Sequence, residues 1–235
     1  ALSDFSTLRR IYRFIAERRR AEPAASAVCE PSPHLLELAG TPYDIGVQHA
    51  RRYGDSILRA LELYRRVPGN SEPSDAAASL GPVAFEQLTG IADTLRIPSA
   101  RLAAFNLALC PEQLPGCAHF AVRTPQGILA GANEDAPLVL HLGDALRPLL
   151  QLNRPGGGIA HLFTGAVGKV GGINGLNARG LSVTSALLLD RFPFASSEGG
   201  MFHPALVQQV LSTCSGVDDA LALLRHTRRS GAWSM

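Results

Sequence analysis

The sequence predicts an α+β protein assembled in blocks, and three observations predict it. From about Ile45 to Leu109 apolar residues recur at helical spacing. From Cys117 to about Leu189 short alternating or apolar runs are separated by turns marked with glycine and proline. From His203 helical spacing returns, and "SGAWSM" then opens what reads as another strand. Helices, then strands, then helices fit a layered α+β protein better than an alternating βαβ chain.

Taken in order, "FSTLRRIYRFIAERRR" (5 to 20) is a basic amphipathic helix, with Phe5, Leu8, Ile11, Tyr12 and Ile15 on one side. It is expected to pack on its own domain with a solvated basic face rather than to meet a membrane surface. "AEPAASAVCEPSP" (21 to 33) is a linker by composition, and Cys29 within it is incidental. These 33 residues form an N-terminal extension. "HLLELAG" (34 to 40) is a short strand. A helix from about Ile45 to Arg66 carries Ile45, His49, Tyr53, Ile57, Leu61 and Tyr64 on one side. The polar stretch from Gly69 to Gly81 is a loop, and two helices follow near 82 to 95 and 98 to 109, the second starting at Pro98-Ser99.

"CAHFAVRTPQGILAGANED" (117 to 135) reads as a β-hairpin turning at Thr124-Pro125-Gln126-Gly127, where proline and glycine suit a tight turn. Residues 145 to 168 form a strand pair joined through the glycines at 156 to 158, and 175 to 189 give a turn and a strand. Residues 203 to 229 form two helices split at Ser215-Gly216, with Pro204 at the first start and Asp218-Asp219 opening the second.

Composition narrows the functional classes. The 235 residues are 46% hydrophobic and 18% charged, enough for a sizeable core. A formal charge of +2 gives no reason to expect a nucleic-acid partner. Four cysteines stand at Cys29, Cys110, Cys117 and Cys214 without a C-x-x-C pair or zinc-finger spacing, so neither a metal nor any other cofactor is called for. No apolar run reaches the roughly 18 residues of a membrane span, and the amino end lacks a signal-peptide pattern. A cytoplasmic protein with reduced thiols is expected.

The candidate chemistry lies at "LPGCAHF" (114 to 120). If Thr124 faces Gly127 across the turn, counting back sets Cys117 opposite Glu134, and Asn133-Glu134-Asp135 comes within about one residue of the thiol. A free thiol has a pKa of about 8.5 and is mostly protonated at neutral pH. Breaking the bond before Cys117 would give that residue an α-amine with a pKa of roughly 7.7–8.0, a general base for its own side chain. Gly116, without a Cβ, lets the thiol reach its carbonyl carbon.

Three stretches give this chemistry a context. "ELAGTPYDIGVQHA" (37 to 50), "GCAHFAVRTPQGILAGANED" (116 to 135) and "GAVGKVGGINGLNARGLSV" (165 to 183) resemble, in order and spacing, segments of the acyl-coenzyme A:6-aminopenicillanic acid acyltransferase family of N-terminal nucleophile hydrolases. The resemblance implies an αββα sandwich, made as a precursor and self-cleaved between Gly116 and Cys117. The mainly helical segment 34–116 would be the α fragment and 117–235 the first part of the catalytic β fragment. It implies Cys117 as nucleophile and Asp135 and Asn133 as its supporting pair; Glu134, Asn177 and Ser185 are the candidate substrate contacts. The activity implied is hydrolysis or formation of an amide bond through an acyl-thioester, on a small-molecule amide or acyl-CoA substrate.

The chain also departs from the family. Ala118 and His119 follow the cysteine where the family has Thr or Ser, and Thr184-Ser185-Ala186 replaces asparagines. His119, two positions beyond Cys117, shares its face and either assists proton transfer or packs. Gly116 is followed by 119 of the 235 residues, about half the family's catalytic fragment, so a C-terminal remainder or a second subunit is expected to complete the sheet.

Two rival readings remain. One is an uncleaved, non-catalytic relative serving as a scaffold or partner-binding subunit; the other is a plain cysteine hydrolase using Cys117 and His119 without cleavage. Elsewhere, "GAVGKVGG" lacks the pattern of a phosphate loop, and Lys169 is expected in solvent. Cys110 and Cys214 are expected to be structural thiols. The remaining histidines show no ligand spacing, and His49 is the most notable of them.

Overall fold

The computed structural model describes residues 35–65, 75–107, 118–133, 148–187, 200–230 and 233–234. The expected helix at 5–20 and its linker, Cys29, Cys110, the Gly116–Cys117 bond, Glu134 and Asp135 lie outside the described residues. Among the described residues the fold is α+β, as expected, with five helices and a mixed sheet.

Strand β1 (Leu35–Gly40) leads through Thr41 into helix α1 (Pro42–Arg65). The Asp44 carboxylate accepts from both the Thr41 backbone N–H (3.0 Å) and its hydroxyl (2.7 Å), closing the first turn of the helix. The expected face is the buried one: Ile45, His49, Ile57, Leu61 and Tyr64 are all inside. Helix α2 (Ala76–Leu95) starts earlier than expected, because Asp75 caps it by accepting from the Ala78 N–H at 2.9 Å. Gly81, at φ 67°, interrupts it, so the run from Pro82 is the helix the sequence predicts and 76–80 is an added capped turn. Helix α3 (Ser99–Leu107) follows a left-handed Arg96.

Two glycines let α1 and α2 cross closely. A Cβ on Gly46 would stand 2.0 Å from the Gln87 carbonyl oxygen, and one on Gly90 would stand 2.2 Å from that of Tyr43. Backbone therefore rests on backbone at this crossing.

Strands β2 (Ala118–Thr124) and β3 (Gly127–Asn133) form the hairpin. Then come β4 (Pro148–Pro155), β5 (His161–Ala166), β6 (Gly175–Asn177), β7 (Ser182–Val183) and β8 (Ala186–Leu187). Helices α4 (His203–Thr213) and α5 (Val217–His226) split at Ser215-Gly216 as expected, and β9 (Trp233–Ser234) closes the described part. A five-stranded sheet runs β1-β4-β5-β6-β7, with β1 parallel to β4 and the other pairs antiparallel. The hairpin and the β8–β9 pair are separate two-stranded sheets. The single strand expected after Gly180 is thus two short ones that belong to different sheets.

The sheet presents an unusual inner face. Alternation alone would send Leu150 and Leu152 inward and Gln151 and Asn153 to water. The reverse holds: Gln151 and Asn153 are buried, while Leu150 is 38% exposed on the other face. The inward polar groups satisfy one another. Gln151 Nε2 donates to Asn153 Oδ1 (2.9 Å), Asn153 Nδ2 lies 3.4 Å from His161 Nε2, and His161 Nδ1 lies 2.8 Å from the Ile159 carbonyl. A fully connected chain of this kind is tolerated where an orphaned amide would not be. On the outer face Glu37, Leu152, Leu162, Leu176 and Ser182 line up across five strands, and Leu176 is 48% exposed.

Two apolar clusters result. The larger joins Leu36, Ile57, Leu61, Leu88, Ile91, Leu102 and Phe105 to Leu149, Val167, Val170 and Ala205; the smaller gathers Phe163, Leu181 and Val183 with Val207, Leu211 and Cys214. The larger therefore draws on chain from both sides of Gly116.

Candidate functional site

The hairpin sets the geometry around the expected nucleophile. Thr124 pairs with Gly127, and the register continues without a bulge to Ala118 opposite Asn133. This is the register the turn residues predict. Gly127, the fourth residue of the turn, takes a positive φ of 130°, and the Thr124 hydroxyl donates to the Gly127 carbonyl (3.0 Å) and accepts from the Gln126 N–H (3.2 Å). Phe120 lies over Gly131, where an added Cβ would come within 2.6 Å of its ring. The described pairing stops one residue short of Cys117 on one strand and of Glu134 on the other.

His119 is half-buried, and its Nδ1 shares a hydrogen bond with Thr184 Oγ1 at 3.1 Å. The hairpin is thereby tied to the segment between β7 and β8, one of the places where the sequence departs from the resembling family. Asn133 stands exposed at the end of β3.

Asn177 and Ser185, the two other described candidates, hold the fold around this segment. Asn177 is buried; its amide nitrogen donates to the Leu211 (3.0 Å) and Cys214 (2.8 Å) carbonyls, and its Oδ1 accepts from the Arg179 and Leu181 N–H groups. Those four bonds use every donor and acceptor site the side chain has. Ser185, also buried, donates to the Ile173 carbonyl at 2.7 Å, and its N–H donates to Asn174 Oδ1. In these positions both side chains close loops.

The glycine-rich turn after β5 is held from the other side by Asn106, His49 and Lys169. Asn106, buried near the end of α3, donates to the Gly168 carbonyl (3.1 Å) and accepts from the Val170 N–H (2.7 Å). His49 Nε2 accepts from the Gly168 N–H at 3.2 Å, so its proton sits on Nδ1, and burial pushes its pKa down to about 4. Gly168, at φ 77°, fits between Ile57 and Phe105. Lys169 is not in solvent as expected: its Nζ donates to the Phe105 carbonyl and lies 4.1 Å from the centre of the Phe105 ring. The cause is the tight turn, which aims its side chain back at α3. No sequence signal marked Asn106, since its partners lie 62 and 64 residues away.

Cys214 caps α4; it is buried, and burial raises its thiol pKa. Among the described residues no cluster of histidine, cysteine, aspartate or glutamate could hold a metal ion, and no helix is long and apolar enough to cross a membrane. Neither a protein-family description nor a curated protein matches the chain.

Proposed function

We propose that the chain is a self-processing N-terminal cysteine amidohydrolase or acyltransferase. The observation that carries this reading is the hairpin register, Thr124 with Gly127 through Ala118 with Asn133, which supports a thiol at 117 meeting the carboxamide and two carboxylates of 133–135. The outer face of the five-stranded sheet, apolar through Leu150, Leu152, Leu162 and Leu176, supports a second sheet layered upon it in an αββα arrangement.

In the precursor the Cys117 thiolate adds to the Gly116 carbonyl carbon. The amide C–N bond breaks as a thioester forms, and the leaving nitrogen takes a proton to become the α-amine. Water then adds to the thioester and the C–S bond breaks. Gly116 is left as a carboxylate and the thiol is restored. In the mature protein the α-amine accepts the thiol proton while sulfur attacks the substrate's acyl carbon, and passes it to the departing amine of an amide or the departing thiolate of an acyl-CoA. Asp135 and Asn133 hold the amine, and backbone N–H groups stabilise the oxyanion. Water or an amine releases the acyl group, giving hydrolysis or transfer on a small amide or acyl-CoA substrate.

A cyanobenzothiazole reagent, which condenses only with a 1,2-aminothiol, tests the reading. Wild-type protein should label on a fragment that begins at Cys117. Absence of label, with a single intact chain, would leave the scaffold or uncleaved-hydrolase alternatives.

A further inference from the structure

The geometry points to Lys169, together with Asn106, as a positioning device for self-cleavage, an inference that rests on the function proposed above. Helix α3 has no basic residue in its last turn to meet its terminal carbonyls. Lys169 supplies one from the far side of the cleavage point, donating to the Phe105 carbonyl with its charge over the Phe105 ring. The neighbouring Asn106 is gripped by the same turn through the Gly168 carbonyl and the Val170 N–H. His119, on the other side of the cleavage point, is fastened to Thr184.

Both approaches to the Gly116–Cys117 bond are thus anchored to one stretch of chain, 168 to 184. An N-to-S acyl shift needs sulfur held close to a carbonyl carbon, and small misplacements of reacting groups lower such rates steeply. A clamp on the last turn of α3 limits where the segment leading to Gly116 can begin. The role assigned to Lys169 is exerted through α3.

The test is the rate of chain cleavage in Lys169→Met, alone and with hydroxylamine, which captures the thioester as a Gly116 hydroxamate and frees the thiol. Cleavage should be at least about tenfold slower in both conditions at a temperature where circular dichroism shows the fold intact, and Lys169→Arg should recover most of the rate. Val210→Ala, on α4 in the other apolar cluster, supplies destabilisation away from the clamp and should cleave at close to the wild-type rate when folded. If Lys169→Met does not fold, Lys169→Gln, which keeps a donor and drops the charge, carries the same expectation. Wild-type-like cleavage in the lysine variants, or equal slowing in Val210→Ala, would overturn the inference. A wild-type chain that stays intact even with hydroxylamine would instead overturn the function on which it rests.

Discussion

His49 shows how one side chain can serve the fold and burden it. Buried with Nε2 accepting from Gly168, it must stay neutral, and its pKa falls from 6.5 to about 4. His203 is pushed down to about 3 and His161 is also lowered, in each case chiefly by burial. The unfolded chain therefore binds protons on these histidines before the folded chain does, and stability falls as pH drops below 6.5, the His49 contribution being fully lost below about 4. Each pKa unit corresponds to about 1.4 kcal/mol. The melting temperature should decline between pH 6.5 and 4, and His49→Gln should flatten the decline; an identical slope in the two proteins would contradict this assignment. Local sequence was informative where geometry is local, as at the turn at 124–127. It was silent on Asn106, Gln151 and Asn153, polar residues whose burial depends on partners brought together only by the completed fold.

At the scale of elements, helix boundaries were legible where caps and prolines announce them: Pro82, Pro204 and Asp218-Asp219 all stand where helices start. The turn at 76–80 was missed because five residues are too few to show a period, and only the Asp75 cap marks them. The break between β7 and β8 was missed because it depends on Ser185 being drawn toward Ile173 and Asn174, 12 and 11 residues away. The α1–α2 crossing gives the sharpest test at this scale. Gly46→Ala places a methyl group against the Gln87 carbonyl, so the helices must part, at a cost of about 3 kcal/mol or more in chemical denaturation. A loss below 1 kcal/mol would show that the crossing yields more easily than its contacts imply.

For the whole molecule, the α+β class was readable because blocks of helical and strand texture are long. The pairing of β1 with β4 was not, because it joins residues more than a hundred positions apart. That pairing makes the segment before Gly116 an integral layer: β1 contributes six residues of ladder to the sheet, and α1 to α3 share one core with Leu149, Val167, Val170 and Ala205. Cleavage at Gly116 should therefore leave a non-covalent complex that co-elutes in native size-exclusion chromatography and separates only in denaturant. Release of the first fragment under native conditions would contradict a shared core. The most direct measurement of the central proposal is the intact mass of purified protein beside its Cys117→Ala variant under denaturing conditions. Self-cleavage requires two chains for the wild type, divided between Gly116 and Cys117, and one for the variant; a single full-length chain in both would rule it out.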